Sequence, residues 1–180
     1  MAAAVVLLAE GFEELEAISI VDVLRRAGVK VMLAGLARGP VRSVHDVVIG
    51  SDGVIDEVDE AGFDAIVLPG GTPGAKRLRE DPRVLSMLRR FYEAGKWTCA
   101  VCAAPTALEA AGVLEGKRAT SYPGNPLPSA IYVEDRVVVD GNLITSRGPG
   151  TALDFALEIA AKLAGPEAAA QTRKAMLLSP

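Results

Sequence analysis

The chain has 180 residues, half of them hydrophobic, with a formal net charge of −4 at pH 7 and two cysteines. This length suits one domain over residues 1–180 that buries a full core without staples, and two cysteines fit a reducing compartment rather than a disulfide framework. No apolar run reaches the roughly 18 residues of a membrane span, and the first residues lack the basic stretch of a secretory signal, so we expect a cytoplasmic protein. No stripe of lysine and arginine residues indicates nucleic-acid binding.

The first half of the chain alternates predicted strands and helices. An apolar strand over residues 4–9 is typical of a sheet covered on both faces. A helix is predicted over 13–27, with an apolar stripe of Leu15, Ile18, Val21 and Leu24, and Gly28 ends it. The sequence next predicts a strand over 29–36, a short β-ribbon around 41–49 and a strand over 65–68. Helices are predicted over 74–79 and 83–94.

The second half continues the alternation. A strand over 97–101 turns into a helix over 104–111, and strands are predicted over 131–139 and 143–145, separated by an Asp140-Gly141 turn. Helices from 151 to 163 and from 166 complete the chain. Strands that alternate with helices predict a parallel, doubly wound α/β sheet.

Cys102 lies where the strand over 97–101 meets its helix. A helix N-terminus offers unpaired N–H groups and a partial positive charge, which favour the reactive thiolate. Pro105 suits the first turn of such a helix. Cys102 is therefore a candidate nucleophile, with a buried structural cysteine as the alternative.

The other cysteine and the single histidine add little to this prediction. In an extended strand Cys99 and Cys102 are about 10 Å apart, beyond the roughly 7 Å limit for a disulfide, so Cys99 is predicted to be a core residue. One histidine and two cysteines do not assemble a transition-metal site, and no metal is expected. His45 is predicted to be a polar surface residue.

Two segments could contribute polar groups to the same edge of the sheet. Glu13, Glu14 and Glu16 lie in the first helical turn, where they either complement the helix dipole or point towards the cysteine. Periodicity does not choose between Glu14 and Glu16. The Gly70-Gly71 pair could aim an N–H group into the crevice, or form an ordinary turn.

Five stretches, in order along nearly the whole chain, resemble the ThiJ/PfpI superfamily and, within it, the Parkinson-disease protein deglycase branch. They are residues 10–16, 24–28, 68–71, 101–108 and 145–151. The resemblance implies a flavodoxin-like three-layer sandwich with a mainly parallel central sheet, a cysteine at a strand-to-helix nucleophile elbow, and a homodimer.

The resemblance also implies roles for individual residues. Cys102 matches the family's nucleophile, and Glu16 matches the carboxylic acid that hydrogen-bonds its sulfur. The N–H groups of Gly71 and Ala103 match the oxyanion hole. Residues matching features near the pocket rim and dimer contact are Arg26, Gly148 and Pro149.

Two positions depart from the family pattern. Tyr122 stands where the human-type proteins have a histidine, and His45 stands where they have a pocket arginine. Tyr122 can donate a hydrogen bond, but a phenol is a poor base near pH 7. The substitution bears on rate and substrate more than on the fold.

The implied function is a glutathione-independent glyoxalase or protein deglycase that acts, without a cofactor, on small reactive carbonyls. Its substrates would be α-oxoaldehydes such as methylglyoxal, or their early protein adducts. The alternative is a redox sensor or stress chaperone in which Cys102 oxidises to a sulfinate. Peptidase and amidotransferase functions are disfavoured, because Ala103 replaces the histidine of the protease branch and no histidine follows His45.

Overall fold

The computed structural model describes residues 1–178, and its strands follow the apolar runs of the sequence. The strands of this part of the chain are β1 (Ala3–Leu8), β2 (Lys30–Gly35), β3 (Val41–Arg42), β4 (Val48–Ile49), β5 (Gly53–Val54), β6 (Ala65–Leu68), β7 (Trp97–Val101), β8 (Arg118–Ala119), β9 (Ile131–Tyr132), β10 (Val137–Asp140) and β11 (Leu143–Ser146). Seven of these described strands form a central sheet in the order β10-β11-β7-β6-β1-β2-β5. All its neighbouring strands are parallel except β10 and β11, which confirms the mainly parallel sheet.

Helices cover both faces of the sheet. They are α1 (Glu14–Arg26), α2 (Thr72–Glu80), α3 (Pro82–Glu93), α4 (Pro105–Ala110), α5 (Ala152–Ala164) and α6 (Pro166–Ala175). Alternate strand residues face opposite sides: Leu7 packs into a core with α2, α3 and α4, whereas Leu8 packs with α1, α5 and α6. The result is the predicted three-layer sandwich. No helix within residues 1–178 is both long and apolar enough to cross a bilayer.

The buried face of α1 differs from the predicted apolar stripe. Val21 and Leu24 are buried as expected, but Leu15 and Ile18 are 55% and 48% exposed. The helix is rotated so that Glu16 faces the interior, where its carboxyl group has a hydrogen-bond partner. The stripe was wrong at Leu15 and Ile18 because it treated every apolar position as a core position, whereas Glu16 is the buried residue in the first turn.

The predicted strand over 131–139 was also wrong, since it is two short strands. β9 pairs with β8 in a separate ribbon, and β10 pairs with β11 at the edge of the central sheet. The intervening residues include Glu134, Asp135 and Arg136, and Arg136 reaches out to the carboxylate of Asp154 at 2.7 Å. Charged side chains with partners outside the strand account for the interruption.

The carboxyl ends of the parallel strands β1, β6, β7 and β11 meet at one edge of the sheet, the edge where open α/β sheets bind ligands. The segments that leave these strands begin at Ala9, Pro69, Cys102 and Arg147. Four segments distant in sequence are thereby brought to one crevice.

Candidate active site

Cys102 forms the sharp turn between β7 and α4. Its φ of +64° lies in the left-handed region, which non-glycine residues adopt only when the surroundings hold them there. Two hydrogen bonds hold this turn: the Cys102 N–H donates to the Ser146 carbonyl at 3.0 Å, and the Tyr122 N–H donates to the Cys102 carbonyl at 2.8 Å. The cysteine therefore lies at a strand-to-helix elbow, as predicted, with its side chain partly exposed.

The buried carboxyl group beside this cysteine is that of Glu16. Its Oε2 accepts a hydrogen bond from the Gly70 N–H at 2.7 Å, and the carboxyl group also interacts with the Cys102 thiol. Within residues 1–178, its Oε1 has no nitrogen or oxygen partner. Periodicity left open whether Glu14 or Glu16 faces the cysteine. The structure places Glu16 there, because the Glu14 carboxyl group is hydrogen-bonded to His45 instead.

Gly70 is required by this close packing. A Cβ atom at this position would lie 2.5 Å from the Cys102 Cβ and 2.7 Å from Glu16 Oε2, closer than any tolerated contact. The glycine thus lets the backbone of the β6–α2 turn approach both reactive side chains and donate its N–H to the carboxyl group.

Burial and charge set the ionisation of the pair. Burial raises the pKa of Glu16 from its ordinary 4.5 to about 7, against the hydrogen bond from Gly70 and the contact with Cys102. Burial, followed by the charge of Glu16, raises the pKa of the Cys102 thiol to about 12. The predicted preference for a thiolate is therefore outweighed by burial and, second, by the charge of Glu16. A proton on Glu16 removes the repulsion between like charges, so the two groups compete for one negative charge.

Backbone N–H groups surround the sulfur. Those of Gly71 and Ala103 both contact Cys102 and lower the pKa of its thiol. Gly71 has a φ of +85°, and a Cβ there would lie 2.5 Å from the Gly11 carbonyl oxygen. Only glycine fits this turn, so the direction of its N–H is fixed by the fold.

Three of the predicted pocket residues lie together. Tyr122, Gly148 and Pro149 line a cavity of about 180 Å³. The tyrosine ring covers Gly148, where a Cβ would lie 3.1 Å from Tyr122 Cδ2. A second cavity, of about 600 Å³, adjoins the first through Pro123 and Arg147.

His45 and Arg26 lie elsewhere. Arg26 is at the far end of α1, where its guanidinium binds Asp22 at 2.6 Å and lines a cavity against α6. Its distance from Glu16 along the helix is about 15 Å, so the prediction of Arg26 as a pocket residue was wrong for the Cys102 site. His45 is exposed on the β3–β4 ribbon, with Nδ1 2.8 Å from Glu14 Oε1 and 4.0 Å from Glu13 Oε2.

These three side chains form the group among residues 1–178 with the spacing of a cation site. One ligand atom from each of Glu13, Glu14 and His45 lies within 4.8 Å of the others. The hydrogen bond between His45 and Glu14 already uses two of these atoms. The group lies at the start of α1, with the Glu13 and Glu14 side chains mostly buried, and the Glu13 N–H donates to the Gly70 carbonyl at 2.9 Å.

Sequence reasoning did not single out Arg147 as a site residue. It directly follows β11, and Ser146 is paired with Val101, the residue before Cys102. The available signal was its position at the carboxyl end of a strand next to the one that carries the cysteine.

A family model described as the DJ-1/PfpI family matches residues 2–162. The chain belongs to the DJ-1/PfpI family. This confirms the resemblance to the ThiJ/PfpI superfamily, and the family model spans the elbow, the Glu16 helix and the crevice between them.

Individual members of the DJ-1/PfpI family agree with this assignment. Protein dj-1beta of Drosophila melanogaster is 47% identical over 98% of this chain and 97% of its own length, and its crystal structure gives a TM-score of 0.96 at 46% identity, with 99% of each chain covered. The glutathione-independent glyoxalase DJR-1.2 of Caenorhabditis elegans is 37% identical over 92% of this chain and 90% of its own. The structure of oxidized Toxoplasma gondii DJ-1 gives a TM-score of 0.94 at 34% identity, with 100% of each chain covered.

Proposed function

We propose that the protein is a cysteine-dependent, glutathione-independent glyoxalase or protein deglycase acting on α-oxoaldehydes such as methylglyoxal, or on their early adducts. The observation that carries this proposal is the pairing of partly exposed Cys102 with buried Glu16, between the N–H groups of Gly71 and Ala103. Similarity to a named glutathione-independent glyoxalase supports the same reaction class.

The first step is addition of the sulfur to the aldehyde carbon. Glu16 takes the thiol proton as the sulfur forms a C–S bond, and it then gives that proton to the aldehyde oxygen, which yields a hemithioacetal and restores the carboxylate. The Gly71 and Ala103 N–H groups stabilise the negative charge that develops on the aldehyde oxygen. A carboxyl pKa of about 7 suits this role, because such a group both accepts and donates a proton near neutral pH.

The second step moves a hydrogen between adjacent carbons. Glu16 removes the proton from the carbon bonded to sulfur and returns it to the neighbouring ketone carbon through an enediol. The first carbon is oxidised to a thioester as the second is reduced to an alcohol, so no external oxidant is needed. Water then cleaves the C–S bond, releasing the hydroxy acid and restoring the thiol.

Tyr122 has a positioning role in this proposal. Its ring covers Gly148 at the edge of the smaller cavity, and its N–H is bonded to the Cys102 carbonyl. The phenol can donate a hydrogen bond to a substrate oxygen, whereas proton transfer falls to Glu16 because a phenol is a weak base near neutral pH.

We also propose that two copies associate through an apolar surface at the start of α1. Leu15 and Ile18 are exposed there, beside Val44 on the ribbon that is bonded to Phe12. Burying this surface against a second copy would remove apolar area from water. Light scattering should show a dimer for the unchanged protein and a monomer for Ile18→Glu; a monomeric unchanged protein contradicts this proposal.

A second function, redox sensing through oxidation of Cys102, is favoured by one feature. The site places a protonatable carboxyl group beside a partly exposed sulfur, where it could donate a hydrogen bond to a sulfinate. Similarity to a DJ-1 protein whose structure was solved in an oxidized form also supports it.

The deciding experiment measures lactate formed from methylglyoxal without glutathione. Unchanged protein, Cys102→Ser and Glu16→Gln are compared, with Cys99→Ser as a matched control because Cys99 is buried in the core. Product must be followed, since a thiol lowers free aldehyde without catalysis. If the unchanged protein and the Cys99→Ser control form lactate and the other two variants do not, the result supports the proposed enzymatic function. No lactate from any variant rejects it in favour of redox sensing.

A further inference from the structure

Arg147 forms part of the wall of both cavities next to the elbow. The smaller cavity, with Tyr122 and Gly148, measures about 180 Å³. The larger one, about 600 Å³, is lined by the proline-rich loop over 123–128 together with Tyr132 and Glu134. A cavity of the latter size suits a ligand well beyond a three-carbon aldehyde. A ligand extending from the smaller cavity to the larger one would pass the Arg147 side chain.

The strand register places Arg147 beside the nucleophile. β7 and β11 are parallel, Val101 pairs with Ser146, and the Cys102 N–H donates to the Ser146 carbonyl at 3.0 Å. Arg147 and Cys102 are the residues that directly follow this last pair, so they leave two neighbouring strands at the same edge of the sheet. The Arg147 side chain therefore starts beside the cysteine, and its guanidinium extends to Glu134 in the wall of the larger cavity.

The guanidinium of Arg147 has few partners for its degree of burial. The side chain is 26% exposed, and its contacts within residues 1–178 are with Glu134: Nη1 lies 3.4 Å from the main-chain oxygen and 3.7 Å from Oε2 of a carboxylate that is 77% exposed. A guanidinium offers five donors in a planar fork. An exposed ion pair of this length is weak, so an incoming anion could displace Glu134.

We propose that Arg147 selects α-oxoaldehydes that carry a carboxylate at the far end of the molecule, by binding that carboxylate. This inference rests on the proposed function and names its substrate class. A planar guanidinium binds a carboxylate through two parallel hydrogen bonds. The positive charge, the larger cavity and the position beside the elbow all favour an acidic substrate over methylglyoxal.

A suitable probe is 4,5-dioxopentanoate, in which two methylene groups separate the dicarbonyl from the carboxylate. Its aldehyde carbon would form the C–S bond to Cys102, and its ketone carbon would be reduced as the aldehyde carbon is oxidised to the thioester. Addition of one water then gives 2-hydroxypentanedioate and the free thiol. The neutral control is 2-oxopentanal, which has the same chain length and no charge.

The kinetic test compares both compounds in the unchanged protein and in Arg147→Gln, Arg147→Lys and Glu134→Gln. We expect kcat/KM for the acid to exceed that for the neutral compound by about ten-fold or more, a typical effect of hydrogen bonds to a charged group. Arg147→Gln should abolish this preference, mainly through KM, because the contact is the same before and during reaction. Arg147→Lys should keep part of it, and Glu134→Gln should increase it. Equal preference in the unchanged protein and Arg147→Gln overturns the proposal.

A binding test separates this inference from the reaction itself. In a Cys102→Ser background, 4-oxopentanoate and 2-pentanone are titrated by calorimetry, with and without Arg147→Gln. Arg147-dependent binding of the acid supports the carboxylate site even if no lactate forms from methylglyoxal. Equal affinity for the two probes, with both variants folded by circular dichroism, rejects the site even if the glyoxalase activity is established.

Discussion

Replacing Glu16 with glutamine should stabilise the fold at alkaline pH and have a much smaller effect at acid pH. Glutamine keeps an oxygen that can accept the hydrogen bond from the Gly70 N–H, now 2.7 Å long. It differs from glutamate in having no charge to bury. The substitution therefore isolates the free energy of ionising a carboxyl group inside the protein.

The size of the effect follows from the pKa. Burial raises the pKa of Glu16 from 4.5 to about 7 in the folded state, so the folded protein holds this proton more tightly than the unfolded chain does. The associated stability is complete below pH 4.5 and is lost as the pH rises through 7. The full loss is roughly 3 kcal/mol at 1.36 kcal/mol per pH unit. Between pH 5 and pH 8 the advantage of glutamine should grow by roughly 2 kcal/mol.

Urea unfolding at pH 5 and pH 8 measures this difference. Glu115→Gln is the matched control, because Glu115 is exposed. Repeating both measurements in a Cys102→Ser background keeps the ionisation of the thiol out of the comparison. If Glu16→Gln changes the free energy of unfolding equally at both pH values, the carboxyl group does not have a raised pKa and the proton-transfer role assigned to it fails.

Three further predictions test the geometry around the elbow. Gly70→Ala places a Cβ 2.5 Å from that of Cys102. We therefore expect the free energy of unfolding, measured in urea, to fall by about 1–3 kcal/mol and lactate formation to fall more than ten-fold. Unchanged values of both would contradict the described packing. Cys102→Gly should be more stable than Cys102→Ala by about 1 kcal/mol, because glycine adopts a φ of +64° without strain; an alanine variant of equal or greater stability in thermal unfolding would show that the turn is unstrained. Tyr122→Phe keeps the ring over Gly148 and removes the hydroxyl, so kcat/KM for methylglyoxal should fall by about three- to ten-fold, whereas an unchanged value would remove the hydroxyl from the proposed reaction.

Strands and the elbow were predictable because they depend on local pattern. The apolar runs that became β1, β6 and β7 lie in the sheet interior, and the strand-to-helix change at Cys102 is visible in the order of residues alone. Periodicity failed where a distant partner decides burial. Glu16 faces the interior because its carboxyl group accepts a hydrogen bond from the Gly70 N–H, 54 residues away. The resulting rotation of α1 leaves Leu15 and Ile18 exposed.

The ionisation of the site could not be predicted from the sequence either. The helix N-terminus next to Cys102 favours a thiolate, but burial and the Glu16 carboxylate act in the opposite direction. Both depend on how tightly three segments close over the sulfur. Arg147 was missed for a related reason: its importance comes from the register between β7 and β11, which pairs residues about 45 positions apart.

The hydrogen bonds at Cys102 have a consequence for the order in which the protein assembles during synthesis. The backbone turn of the cysteine is held by Ser146 and Tyr122, which are made 44 and 20 residues later. A nascent chain that has passed residue 102 but not yet reached β11 carries the cysteine without the contact that holds its left-handed conformation. Strand pairing at such separation forms late in folding. The left-handed turn at Cys102 is therefore completed only when the last strand of the sheet is in place, whereas Glu16 and Gly71, which contact the thiol, are made before the cysteine itself.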